Sequence, residues 1–146
     1  MLQLHELFLT ALDNRNMELP EHTIENHDRW FLTISAKSED VGKLTIWDDG
    51  DELTVDLGEK HHCHFDEHTA PGSTQRERRE FVADTTAEFV NDVLNDRVSF
   101  RVEYKAGRCR SSFSWTAPSS SIASPSSHCD EYIEFRWSGV YLKNGT

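Results

Sequence analysis

The sequence predicts an α+β fold: a mostly antiparallel sheet of about six strands, with one long helix packed on it and a short N-terminal helix. Three observations carry this expectation. Strand-like alternation of apolar and polar residues falls in two groups, separated by a single long helical pattern. No rhythm of strand, helix and strand suggests parallel crossovers. Within the first group stands Asp49-Gly50, the strongest short-range hairpin signal, because a primed turn needs positive φ and this dipeptide tolerates it.

In chain order, Leu2, Leu4, Leu7, Phe8, Leu9, Ala11 and Leu12 fit an amphipathic helix ending near Asn14–Asn16. Residues 17–28 are polar, contain Pro20 and read as a connection. Residues 29–36, RWFLTISA, are rich in aromatic and β-branched side chains and read as a strand. Leu44 and Ile46 then alternate with Thr45 and Trp47, and Leu53, Val55 and Leu57 resume the alternation after the turn, which completes a hairpin. Pro71-Gly72 breaks the chain ahead of a helix that starts near Gln75 and ends at Asn95-Asp96. Its apolar face reads as Phe81, Val82, Phe89, Val90, Val93 and Leu94.

Beyond that helix, Val98, Phe100, Val102 and Tyr104 alternate with charged and polar residues, Ala106-Gly107 turns the chain, and Cys109, Ser111, Phe113 and Trp115 mark a returning strand. Residues 118–127, PSSSIASPSS, are too poor in apolar side chains to pack and read as a mobile loop. Residues 131–137, EYIEFRW, make the last strand, and Ser138-Gly139 bends the chain before Val140, Tyr141 and Leu142. The long helix is expected to lay Phe81, Phe89, Val93 and Leu94 across the sheet, against Ile46, Val55, Phe100 and Val102. Asp84, Glu88 and Asp92 would then face solvent.

At 146 residues and 16.8 kDa the chain has the size of one domain, 1–146. With 15 basic and 26 acidic residues its formal net charge is −11, which repels a phosphate backbone and favours a basic protein as partner rather than nucleic acid. The N-terminal residues lack the basic region and apolar run of a signal peptide, and no stretch reaches the roughly 20 apolar residues of a membrane span, so a cytoplasmic protein is expected. Cys63, Cys109 and Cys129 show no CxxC spacing and are expected as reduced thiols. Nothing in the pattern sets an oligomeric state.

Three constellations bear on function. The segment 61–68, HHCHFDEH, holds four of the eight histidines. As extended chain it places His62 and His64 on one face, with Asp66 and His68 able to join them, and His61, Cys63 and Phe65 on the other. Such a pair can bind zinc, with His68 or Asp66 completing the site and His5, His22, His27, His128 or Cys129 as distant ligands. The competing reading is a set of strand-end histidines that pack and hydrogen-bond, with no metal or other cofactor.

The second constellation is acidic. Residues 37–67 hold ten Asp or Glu against three Lys, a local charge of −7, and Asp48, Asp49, Asp51 and Glu52 crowd the hairpin turn. Glu80, Asp84, Glu88 and Asp92 recur at i+4 along the long helix, where like charges repel by a few tenths of a kcal/mol per pair, roughly. Either these are solvated faces, or they steer a cationic partner. The third constellation, nucleophiles, is thin. There is no GxSxG, Walker A, GxGxxG, HExxH or EF-hand pattern, and Cys63 reads as a buried inert thiol. No catalytic residue is expected.

The run WDDGDELTVDLGEKHHCHFDE at 47–67, the helix-to-strand join FVNDVLNDRVSFRVEY at 89–104 and FRWSG at 135–139 resemble the small immunity proteins of bacterial polymorphic-toxin and contact-dependent competition systems. The resemblance implies a compact α+β cytosolic protein that binds one cognate toxin and occludes or distorts its active site. The expected function is therefore neutralisation of a basic toxin, such as a nuclease, through Asp48, Asp49, Asp51, Glu52, Asp84, Glu88 and Asp92. The alternatives are a metal-binding protein or small metal-dependent hydrolase centred on His62, His64 and His68, and an acidic intracellular adaptor.

Overall fold

A computed structural model describes residues 2–116 and 129–144, so the expected loop at 118–127 lies outside the described residues. Helix α1 (Leu4–Asn14) leads into strands β1 (His22–Asn26), β2 (Trp30–Ile34), β3 (Leu44–Asp48), β4 (Glu52–Leu57) and β5 (His61–Asp66). Helix α2 (Gln75–Leu94) follows, and then β6 (Val98–Lys105), β7 (Arg108–Thr116), β8 (Glu131–Arg136) and β9 (Gly139–Asn144). The class is α+β, as the sequence predicts. The single sheet of about six strands is not what forms: the described residues make two antiparallel sheets, one in the order β1-β2-β3-β4-β5 and one in the order β7-β6-β8-β9.

The extra strands, β1, β5 and β9, are the ones with weak patterns, and β5 is the histidine segment at 61–66. β1 lies in the stretch read as a connection, and every one of its residues is exposed, so no alternation marks it. β9 is likewise almost wholly exposed. The meander itself follows the alternation closely. Leu32, Ile34, Leu44, Ile46, Leu53, Val55 and Leu57 all point to one buried face, and Phe31, Trp47, Thr54 and Asp56 to the other. At the central turn only Gly50 takes positive φ, at +97°, so the loop is Gly50-Asp51 with glycine first, one residue later than an Asp49-Gly50 turn.

Helix α2 begins at a capping box in which Thr74 accepts from the Glu77 N–H and Glu77 accepts from the Ser73 and Thr74 N–H groups. It packs against α1, β4, β5 and β6. Its buried face is Arg79, Val82, Ala83, Thr86, Ala87, Val90 and Val93, a regular three-and-four spacing. The helix is therefore rotated from the expected orientation. Phe81 is 46% exposed, Phe89 and Leu94 are only partly buried, and Ala83 and Ala87 occupy the core instead. The physical reason is α1. A helix pressed between a sheet and a second helix needs small side chains on the close side, and the large aromatic goes to the rim.

One hydrophobic cluster includes both helices and both sheets. Phe100 of β6 stacks on Phe135 of β8, with ring centroids 5.2 Å apart, and meets the His61 ring of β5 at 5.4 Å. The polar alternates of β6 are buried too, contrary to a simple in-and-out reading: Arg101 is 3% and Glu103 1% exposed. Arg101 donates through Nε and Nη2 to Glu134 of β8 and lies 3.7 Å from Glu103, flanked by the Trp115 and Tyr132 rings. Among the described residues no helix is long and apolar enough to cross a membrane.

Candidate functional site

The acidic turn between β3 and β4 divides once its side chains are followed. Asp48 continues the inward face of Leu44 and Ile46 and is 8% exposed. Its Oδ2 accepts from the His5 N–H (3.0 Å) and meets His5 Nδ1 at 2.7 Å, while Oδ1 accepts from the Gly50 N–H. A carboxylate at that position holds the start of α1, where the helix dipole favours negative charge. Asp48 is thus withdrawn from the expected partner-binding set. Asp49 is held by Arg29 (2.6 Å) and by the Thr54 hydroxyl, and the Arg29 guanidinium lies over the Trp47 ring at 4.1 Å.

Asp51 and Glu52 do reach solvent. Each has a histidine neighbour: Asp51 meets His68 Nε2, and Glu52 meets His64 Nδ1, both at 3.1 Å. These contacts decide the geometry of the histidine cluster. His62 and His64 share the outward face of β5, ring centroids 5.0 Å apart, but His64 turns to Glu52 and Thr54 and His68 turns to Asp51. Among the described residues no three His, Cys, Asp or Glu side chains are grouped as metal ligands would be. Asp56, opposite His62 in the ladder, has its pKa raised by burial, with the Glu59 charge adding and a backbone hydrogen bond, His62 and Lys43 opposing.

On α2, Asp84 and Glu88 are exposed, whereas Asp92 is partly buried and paired with Arg97 at 3.3 Å. Glu80, the first of the stripe, is bonded to Arg76. Between β5 and this helix lies a cavity of about 150 Å³ lined by His64, Phe65, Asp66, Thr69, Phe81 and Thr85. Reading the helix with Phe81 in the core hid this groove. The available signal was the pair Ala83 and Ala87, small residues at i and i+4 that mark the closely packed side.

The turn and the groove are joined underneath by a buried ion pair. Arg79 of α2 donates to Glu67 (2.6 Å), to the Gly50 carbonyl (3.0 Å) and to the Leu2 carbonyl (3.3 Å). Burial opposes the Glu67 charge, but hydrogen bonds from Arg79 and Gln75 outweigh it and hold the carboxyl below the ordinary glutamate range.

Among the described residues, Cys63 and His61 form an arrangement that resembles nucleophile chemistry. Cys63 Sγ lies 3.3 Å from His61 Nε2, and His61 Nδ1 lies 2.8 Å from Ser112 Oγ. Burial pushes the thiol up and, together with His62, pushes the imidazole down. Both shifts disfavour a thiolate–imidazolium pair, so the contact is a neutral hydrogen bond within β5, and it is the His61–Ser112 bond that reaches across to β7 of the second sheet.

Charge is segregated along the chain. Residues 1–96 carry 8 Lys and Arg against 22 Asp and Glu, a net −14, and residues 97–146 carry 7 against 4, a net +3. The first sheet and both helices are therefore the acidic part. No protein-family model, curated protein or solved structure matches this chain.

Proposed function

We propose that this chain is a stoichiometric inhibitor of the immunity type, which binds a basic partner protein and occludes its working surface. The observation that carries this reading is the concentration of solvent-reaching carboxylates on the acidic part: Asp51, Asp84 and Glu88 are exposed, and Glu52 at the turn and Asp66 at the end of β5 are half-buried. Such a surface raises the local concentration of a cationic partner and accelerates encounter. Asp49 contributes less, because Arg29 already offsets its charge, and Asp92 is offset by Arg97. A nuclease, whose substrate-binding surface is positive, is a partner of the right chemistry.

Co-expression with the product of the adjacent gene tests the reading. The chain should restore growth of cells that product poisons, and the two proteins should co-purify in equal amounts. Reversing Asp51, Glu52, Asp84 and Glu88 to Lys should slow association by about tenfold or more at low salt and flatten its salt dependence. Unchanged growth inhibition, or rates indifferent to the reversals, would remove the proposal.

A further inference from the structure

Among the described residues, β5 is an outer strand of the first sheet. In the β4–β5 ladder the Glu67 N–H donates to the Asp51 carbonyl at 3.0 Å, one step beyond the paired Asp66 and Glu52. Hydrogen-bonded pairs alternate in an antiparallel ladder, so residues 61, 63 and 65 face β4. The N–H and C=O of His62 and His64 and the N–H of Asp66 then point away from it, and the Asp66 carbonyl accepts from the Thr69 hydroxyl. No strand pairs with that edge among the described residues.

A groove runs beside this edge. Phe65, partly buried against Phe89, and the exposed ring of Phe81 frame the cavity of about 150 Å³, a size that holds one benzene-sized apolar group, about 150 Å³. Carboxylates stand on both banks. Asp66 and Glu52 lie on the sheet side, and Glu88, seven residues along from Phe81, lies on the same side of α2. By contrast, the edge strands β7 and β9 belong to ladders broken by register shifts, at Glu103/Tyr104 and Glu134/Phe135, which twist an edge away from pairing.

From these features we propose that β5 takes up an extended segment of the partner protein as a sixth strand of the first sheet. One apolar side chain of that segment sits between Phe65 and Phe81 on the α2 side, the Lys or Arg residues next to it point to the other face and meet Asp66 and Glu52, and a basic residue two positions along returns to the α2 side toward Glu88. The inference rests on the inhibitor reading for its partner and deepens it by naming the docking segment as a basic, alternating strand.

The test uses an acetylated, amidated peptide of alternating Lys and Leu, together with a twin carrying N-methyl groups on alternate backbone nitrogens. The twin keeps the charge and loses the donors, so it separates strand pairing from simple attraction to an acidic protein. Titration followed by backbone amide NMR should move and protect the amides of His62, His64 and Asp66, and the twin should bind about tenfold more weakly. Phe81→Ala, at an exposed position, and His64→Pro, which removes an outward N–H together with the imidazole that meets Glu52 and Thr54, should each weaken the parent peptide by about threefold or more. Equal binding of the twin, or shifts that map to β1, β7 or β9, would overturn the proposal. If the peptide docks on β5 while the chain neutralises no partner, the edge site stands and the inhibitor reading fails. If neutralisation occurs and is indifferent to both variants, the edge is not where the partner docks.

Discussion

At the scale of single residues, two buried acids show why a carboxylate count is not a map of a surface. Asp48 and Glu67 belong to the most acidic stretch of the chain, yet each is enclosed, one by the start of α1 and one by Arg79. Replacing Arg79 by Ala would leave Glu67 buried without a counter-charge, with Gln75 as its remaining hydrogen-bond donor, and should cost about 3–5 kcal/mol in urea denaturation. Acid should destabilise the protein in two steps. Burial lowers the His61 pKa in the folded state, so the unfolded chain takes up that proton first, and stability falls as pH drops below about 6.5. The Glu67 pKa is also lowered on folding, so its contribution is present above about pH 4.3 and lost as pH falls further, through the folded value. Melting temperatures of His61→Asn should fall less steeply than those of the parent between pH 6.5 and 5, roughly. A slope unchanged by the substitution would assign the first step to another group.

Among the elements, α2 carries the clearest lesson. Hydrophobicity alone ranks Phe81 and Phe89 above Ala83 and Ala87, but the core position goes to the side chain that fits between α1 and the sheet. Val90→Ala should cost about 2 kcal/mol, whereas Phe81→Ala and Glu88→Gln should each change stability by no more than about 0.5 kcal/mol. Phe89→Ala, half-buried against Phe65, should fall between these values. Ala87→Leu should destabilise by about 1–3 kcal/mol through overpacking. Denaturation of the five variants side by side tests the rotation directly. A large loss for Phe81→Ala with a small one for Val90→Ala would return Phe81 to the core and close the groove.

The whole molecule is held together across its two sheets by Phe100, which meets Phe135 within its own sheet and His61 of the other. Calorimetry should therefore show one unfolding transition, and Phe100→Ala should lower its stability by about 3–5 kcal/mol without splitting it. Two separate transitions would mean that the sheets fold as independent units. The segregated charge also predicts a salt response. Raising ionic strength from low values to about 0.15 M should raise the melting temperature, because screening relieves repulsion within the acidic part.

The sequence by itself determined the elements whose signal is local. The β3–β4 hairpin, the extent of α2, the alternation of 44–57 and the shared face of His62 and His64 follow from spacing of 2 or 3.6 residues and from the positive φ that glycine tolerates, although the turn forms one residue later than Asp49-Gly50. Only the tertiary structure decided the rest. β1 has no buried face to leave a pattern, Ser99, Arg101 and Glu103 are buried beside Trp115, Tyr132 and Glu134 of neighbouring strands, and Asp48, which the strand period turns inward, stays buried there because the start of α1 supplies its partners. In each case the deciding neighbour is more than ten residues away in sequence. Local periodicity reports which side of an element is apolar, but burial of a polar group depends on whether a distant partner satisfies it, and that is settled only when the chain has folded.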